Sequence, residues 1–522
     1  MWRRAATLAT LLVLLASVRP TYADSGAEKT TTASCTPNCY IGLDGSLRDS
    51  DLHYGRLVAR GRPHYLRASI EIALALGFAT AVYWVDPKMD VADWDVPSIE
   101  RRLSAEGWRL DNNLFNINFL GHAANGLGFH ILGRSNDLSL AASVGVGVVA
   151  SLAWEIALEF GGSVSINDTI TTTGAGVALG EFAHWFGRYI NSGRNEHIVE
   201  RLLRWTIGLP RTFHNKLDRR IEYRGETDRL GFNADIWHQF RLGYGFAFGE
   251  ASRHGHDVGI RFHHIQLSAR LAAIPGYLRP GSMNRFFADG NVTSVDVNAS
   301  VTSDGIGVDL IADTMLLGLH TQKIPMPEQG GVGTALTIGA NIAYHYRNEK
   351  FFNWRDRLGL VHLPGLAIDA HVLGSEFALR ASTRLHVDFA GINARSYPEW
   401  AEANPNVIDK AILHKRGYYY GWGVSGRAAV ELSGPHFDMG ASVFYGTYDS
   451  QEGLDRAQTT VEVDVNAEDR VLDYSAWVRV GPLFKGWYLG ARLSRQDRRG
   501  TVADVPSDTQ LDRVMLQLLL RL

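Results

Sequence analysis

The chain ends on Val514-Met515-Leu516-Gln517-Leu518-Leu519-Leu520-Arg521-Leu522. In extended backbone Val514, Leu516, Leu518, Leu520 and Leu522 share one face, while Arg513, Gln517 and Arg521 fall on the other. A globular protein rarely ends on a strand with so apolar a face. A membrane β-barrel does, because it closes on its last strand and turns that face to lipid.

Many strands of the same kind precede it. Phe377, Leu379, Ala381, Thr383, Leu385, Val387 and Phe389 alternate with Ala378, Arg380, Ser382, Arg384, His386 and Asp388. Leu472, Tyr474, Ala476, Val478 and Val480 alternate around Asp473, Ser475 and Arg479, and Trp487 to Leu493 repeats the pattern. From about residue 230 onward such alternation predicts about twelve strands, an even number as bacterial barrels favour. Among the weaker strands is Val461–Val465, and His263-His264 breaks the phase of another, which predicts a bulge. A soluble β-sandwich also alternates, but its buried side is one narrow core. Here the polar faces carry charge on nearly every strand, and a barrel gives both faces a use. Arg380, Arg384, Asp388, Arg479 and Arg492 then face the lumen, where they line a pore or contact a plug. Their mixed signs argue against strong ion selectivity.

The N-terminus agrees. Met1-Trp2-Arg3-Arg4, an apolar run from Ala5 to Val18 and Thr21-Tyr22-Ala23 form a secretory signal, with cleavage expected after Ala23. Cys35 and Cys39, the two cysteines, are expected to close a small disulfide loop in an oxidising compartment. Residues 24–64 are polar and read as a loosely ordered periplasmic lead. A formal net charge of −3 offers no basic field for nucleic acid. The slightly negative mean hydropathy excludes a polytopic helical transporter but suits a barrel.

Residues 65–225 have helical periodicity. Helices are expected over Tyr65–Trp84, Val96–Glu106, Leu114–Leu132, Leu138–Phe160, Ile170–Ile190 and Asn195–Ile207, with Pro210 stopping the last. The expected architecture is α+β: signal 1–23, lead 24–64, helical domain 65–225 inside or beneath the barrel, and transmembrane barrel 226–522.

The helical region is dense in polar residues. Asn118, His122 and Asn125 stand at i, i+4 and i+7 and share a helix face. Asp111, Asn113 and Arg134 flank them, Glu155 and Glu159 lie one turn apart, and Glu181 and His184 stand at i, i+3. Ser163, Ser165, Asn167 and Asp168 form a turn suited to capping the next helix. The run Trp108-x-x-Asp111, Gly121-His122-x-x-x-Gly126, Arg134-Ser135-Asn136, Trp154-Glu155-x-x-x-Glu159, Ser165-Ile166-Asn167-Asp168 and Gly180-Glu181 resembles an uncharacterised bacterial family, domain of unknown function 3943. The resemblance covers roughly residues 108–190 and departs at Ala123, where members often carry Pro. It implies an envelope protein and supplies no catalytic residues.

Three uses of the polar residues compete. In the first, His122, Glu155, Asp168 and Glu181 satisfy one another in a bundle that Gly174, Gly176 and Gly180 let pack closely. In the second, His122 is the general base of a lipid hydrolase, oriented by a carboxylate, although no serine sits in a nucleophile elbow. In the third, Glu155, Glu159, Glu181, His184 and His122 hold metal, but only one Glu-x-x-His exists where a dimetal bundle uses two. No phosphate loop, His-Glu-x-x-His or Cys-x-x-Cys is present, and no cofactor is expected. The partners expected are outer-membrane lipids and the barrel-assembly machinery. The function expected is handling or passing a lipid or small hydrophobic solute, or a structural envelope role, with lipid hydrolysis as the alternative.

Overall fold

The computed structural model describes residues 39–521, apart from 42–46, 86–98, 160–161, 195–197, 224, 228–230, 254–255, 303–304, 352–353 and 485. The signal segment and the Cys35–Cys39 disulfide, which needs Cys35, lie outside the described residues.

Twelve antiparallel strands close into a barrel: β1 (Trp237–Arg253), β2 (His256–Ala272), β3 (Val292–Thr302), β4 (Gly305–Ile324), β5 (Gly333–Phe351), β6 (Trp354–Leu373), β7 (Ala378–Asn393), β8 (Tyr418–Ser433), β9 (Phe437–Ser450), β10 (Ala467–Phe484), β11 (Trp487–Val502) and β12 (Val505–Arg521). Neighbours in sequence are neighbours in the wall. Closure is made by β12 on β1, with Leu518 opposite Tyr244 and Leu520 opposite Leu242. The short strand Gly281–Phe287 adds to β4 below the wall. Both ends of the barrel segment and the connection 273–291 lie at one rim, and the long connections 394–417 and 451–466 lie at the other.

The alternation has the expected sense. Leu385, Val387, Val424, Tyr474, Val478, Leu516 and Leu518 are exposed on the outer face. Inward charges meet across the lumen: Arg270 on β2 reaches Glu431 on β8 at 2.7 Å, and Arg347 on β5 reaches Asp473 on β10 at 2.5 Å. Arg241 pairs with Glu431 at 3.0 Å, and Arg384 with Asp369 at 2.8 Å. A cavity of about 250 Å³ is left among them, and a larger one of about 1410 Å³ adjoins it, lined by the inward Ile260, Ala429, Ser442, Ser475, Ser494 and Arg513. At the long-loop rim, α-helices Tyr397–Ala403 and Ala411–Arg416 cover the mouth. Their Tyr397, Trp400 and Leu413 pack with the inward Leu358, Leu360, Tyr419 and Tyr448.

Among the described residues ahead of the barrel are four long helices, α1 (Tyr65–Val85), α2 (His122–Ser135), α3 (Leu140–Ala153) and α4 (Ile166–Asn191), followed by α5 (Ile198–Trp205) and α6 (Leu209–Leu217). They do not plug the lumen. They stand against the outer wall, because α4 and the turn before α2 touch the outward residues of the strands. Phe115, Phe119, Ala175 and Ala178 share a core with Val295, Ala312, Ile342, Tyr344, Val361, Phe389 and Tyr420. The strand neighbours of these residues, Asp296, Asp313, His345, His362, Asp388 and Tyr419, point inward instead. Tyr344 donates to the Phe119 carbonyl, Tyr346 to Asn116 at 2.9 Å and Thr314 to the Ala178 carbonyl at 3.2 Å. The physical reason is the chemistry of the two faces: the lumen carries charged side chains paired across it, whereas the small apolar face of α4 matches the apolar outer face of the wall. The expectation of helices inside or beneath the barrel is therefore corrected.

Smaller corrections follow the same logic. The lead is not loose near its end: helix Ser50–Val58 buries Leu57 with Trp185 and Tyr189, and Arg60 pairs with Asp289 at 2.5 Å. His263-His264 makes no bulge, since β1 and β2 pair without a shift; His263 meets Tyr244 outside and His264 is buried inside. The register shifts occur instead beside Asn341, between His362 and Leu366 and between Val480 and Phe484. Val461–Val465 is loop, and the wall resumes at Ala467.

Candidate functional site

Local sequence places the site. Ser165 caps α4 by accepting the Asp168 amide at 3.2 Å, as its turn predicted, and this puts Asp168 in the first helical turn, where the helix dipole favours a carboxylate. A π-helical turn, Ile117–Gly121, precedes α2, and a second, Trp154–Leu158, ends α3. Such turns break the ordinary spacing of side chains on a face. Asn118 and His122 consequently do different things, although four residues apart.

Asp111 is the hub of the first group. One of its carboxylate oxygens accepts from Asn118 at 2.7 Å, Asn167 at 3.0 Å and Tyr420 at 2.8 Å, while the other accepts from Asn113. Asn118 also reaches Tyr418 at 2.9 Å, so the barrel wall completes the helical cluster. Asn167 bridges onward to Asp168 at 2.8 Å. His122, 9% exposed, lies with Nε2 3.2 Å from Asp168 and Nδ1 3.3 Å from the Thr172 hydroxyl. Glu155 accepts the Ser165 amide at 2.9 Å, whereas Glu159 turns away to Trp154 at 2.8 Å and Tyr83 at 3.2 Å.

His122, Thr172, Glu155 and Ser151 form the buried part of a cavity of about 160 Å³ between α1, α2, α3 and α4. Ala75, Ala79, Phe129 and Leu132 supply apolar walls, and the exposed Ala124 and Asn125 stand at its rim.

Glu181 belongs elsewhere. It lies 13 residues beyond Asp168 on α4, about 20 Å along the helix axis, and joins a second group. There it takes His130 at 2.6 Å and Arg134 at 2.8 Å, and Arg134 continues to Asp289 at 3.0 Å. His184, one turn further, is buried beside Trp185. The single cluster expected from sequence thus divides in two, because helix length separates its members. The same separation disperses the expected metal set, as Glu181 and His184 lie far from His122 and Glu155. Among the described residues His64, Asp137 and Asp218 bring ligand atoms together. Their carboxylates, however, already hold Arg220, Arg211 and Arg67.

Sequence reasoning missed Thr172, His130, Asp289, Tyr418 and Tyr420. The two tyrosines begin a strand more than two hundred residues away, where aromatic residues read as an interface girdle. Thr172 sits in a run of three threonines, none distinguished by spacing.

Comparison with known proteins adds a domain match and no activity. A family model described as "Domain of unknown function (DUF3943)" matches residues 107–208, which agrees with the resemblance seen in the motifs. No curated protein matches the chain. Among solved structures, the translocator domain of the autotransporter NalP from Neisseria meningitidis is 12% identical, covering 54% of this chain and 87% of its own at a TM-score of 0.19. A Pseudomonas aeruginosa FadL homologue is 9% identical, covering 54% and 90% at 0.20. A loop-deletion mutant of OmpT, an outer membrane protein of Vibrio cholerae, is 7% identical, covering 55% and 99% at 0.21. These low scores leave the assignment to the closed wall and its apolar outer belt. The chain is a bacterial outer-membrane β-barrel, and its residues 107–208 match the domain of unknown function DUF3943.

Proposed function

We propose that the protein handles a membrane lipid at the outer wall of its barrel, through the helical domain, and does not pass a solute through the lumen. The carrying observation is His122, buried between Asp168 and Thr172 at the inner end of a cavity with apolar walls and an exposed rim. At about 160 Å³ that cavity is smaller than the ~300–1,000 Å³ of sites that engulf a whole ligand. It suits one segment of an amphiphile whose remainder stays in the bilayer. The lumen encloses a larger cavity of about 1410 Å³, but ion pairs cross it and the loop helices cover its mouth, which argues against an open pore. A cavity-filling variant tests this. A Cβ on Gly128 meets nothing within 4 Å, and Gly128 lines the cavity, so Gly128→Leu is the variant that places a side chain in it. Lipid co-purifying with the barrel, measured by mass spectrometry, is expected to fall while assembly is unchanged, and wild-type protein is expected to show no steady conductance in planar bilayers. Unchanged lipid content or an open-pore conductance would sink the proposal.

One observation favours a second reading, hydrolysis of that lipid. Thr172, His122 and Asp168 form a hydroxyl–imidazole–carboxylate chain, the order in which a base is oriented and a hydroxyl or water activated. In that reading His122→Ala and Thr172→Val each abolish release of labelled product from envelope lipids without reducing lipid binding. Binding without turnover in the wild-type protein rejects it.

A further inference from the structure

The outer surface of α1 is as apolar as the outer belt of the barrel. On α1, Leu66, Ile70, Leu74, Phe78 and Val82 recur every four residues, and all are exposed; Leu66 and Phe78 are 75% and 74% accessible. An exposed aliphatic stripe this long has no aqueous explanation in a well-packed bundle. Its length is informative as well. The 21 residues of α1 rise about 31 Å, which matches the hydrocarbon core of a bilayer. Its charged groups are confined to its first two turns. Arg67 pairs with Asp218 at 2.6 Å and Glu71 with His214 at 3.0 Å near the start. Tyr83 and Trp84 stand near the finish, where aromatic side chains sit at a membrane interface.

The second helix of this kind is α3 with its terminal turn, Leu140–Leu158, 28% buried over its most apolar window. Its Val149 is exposed. Both helices run beside the barrel at the depth of the wall, because α4 spans from Tyr420 near the long-loop rim to Ile236 and Leu271 near the other. At that lower rim α5 and α6 turn Ile198, Leu202, Trp205, Phe213 and Leu217 outward, and Lys216 lies 4.1 Å over the Trp205 ring. Short amphipathic helices of this pattern lie in the interface plane.

We infer that the helical domain is embedded in the outer membrane alongside the barrel, with the outer faces of α1 and α3 covered by lipid acyl chains. The occupant is set by place and length: α4 packs on the outer, lipid-facing face of the wall between its two rims, and the span of α1 matches the bilayer's hydrocarbon core. The lipid-handling reading draws on this placement, since the remainder of its amphiphile stays in the bilayer, whereas this placement does not depend on the cavity.

The test uses single cysteines at Ile70, Phe78 and Val149 in full-length protein carrying Cys35→Ser and Cys39→Ser, labelled with an environment-sensitive fluorophore. Assembled barrels, selected by heat-dependent gel mobility, are reconstituted in phosphatidylethanolamine–phosphatidylglycerol vesicles. The expected result is quenching by doxyl-labelled lipid several-fold stronger than by iodide, matching a label at Leu518 on the barrel belt. A label at Glu452 in the long loop should behave oppositely. Iodide quenching at Ile70 and Phe78 would overturn the inference, showing a water-exposed domain. Protection from both quenchers would also overturn it, showing cover by protein or a second copy. Photo-crosslinking of the unsubstituted protein to a lipid bearing a diazirine in its acyl chain gives an independent reading, with adducts expected on peptides from 65–85; adducts on barrel peptides alone would count against embedding.

Discussion

Removal of Glu181 separates structural from functional polar residues. Glu181 is 0% exposed and serves two cations, His130 at 2.6 Å and Arg134 at 2.8 Å. Breaking a buried pair by deleting one partner costs about 3–5 kcal/mol, since the surviving charge stays desolvated. Arg134 keeps Asp289 at 3.0 Å, so Glu181→Ala belongs at the lower end, about 3 kcal/mol. That corresponds to roughly a 150-fold fall in the folded ratio of the helical domain. Arg134→Met in the same chain removes the stranded charge, and the double variant is expected to be less destabilised than the sum of the two single ones. The assay is urea unfolding in micelles followed by the helical circular-dichroism band, with protease resistance of the helical domain as a second probe. His122→Ala provides the contrast. Its longer contacts, 3.2 and 3.3 Å, predict a smaller loss of about 1 kcal/mol. A Glu181→Ala protein with an unchanged midpoint, or a strictly additive double variant, would refute the reasoning.

Close helix approach, closure and pH give three further tests. A Cβ at Gly176 would lie 2.6 Å from the Gly126 carbonyl carbon, so Gly176→Ala should push α2 from α4 and cost about 1–3 kcal/mol in the same urea assay. Deleting Leu518 to Leu522 removes the partners of Tyr244 to Arg241, leaving β1 and β11 with open edges; no heat-modifiable barrel should form on gels. Burial alone would raise the Glu222 carboxyl, but the guanidiniums of Arg211 and Arg188 outweigh it and hold it down to about 2. Its folded value is depressed, so its stabilisation is fully present above the ordinary carboxylate range and is lost as pH falls toward about 2. The loss amounts to roughly 3 kcal/mol, and Glu222→Gln should flatten that acid limb of the stability profile.

The sequence by itself determined the barrel. Alternation of Leu379, Ala381 and Leu385 with Arg380, Ser382 and Arg384 assigns every side chain to one face, because the strand period is two. That local rule sufficed for strand number, for the lumen-facing charges and for the terminal strand that closes the wall. The Ser165 cap was equally legible, since capping is decided within four residues. Only the tertiary structure decided where the helices lie and which polar residues meet. Periodicity marks α4 as small and apolar but does not name its partner, and the choice between lumen and outer wall was made by ion pairs such as Arg347–Asp473, which join strands 126 residues apart. The division of Glu181 from His122 came from the rigid rise of a helix. The joining of Asn118 to Tyr418 and Tyr420 came from a contact across three hundred residues, a distance at which no local pattern in a single sequence carries information.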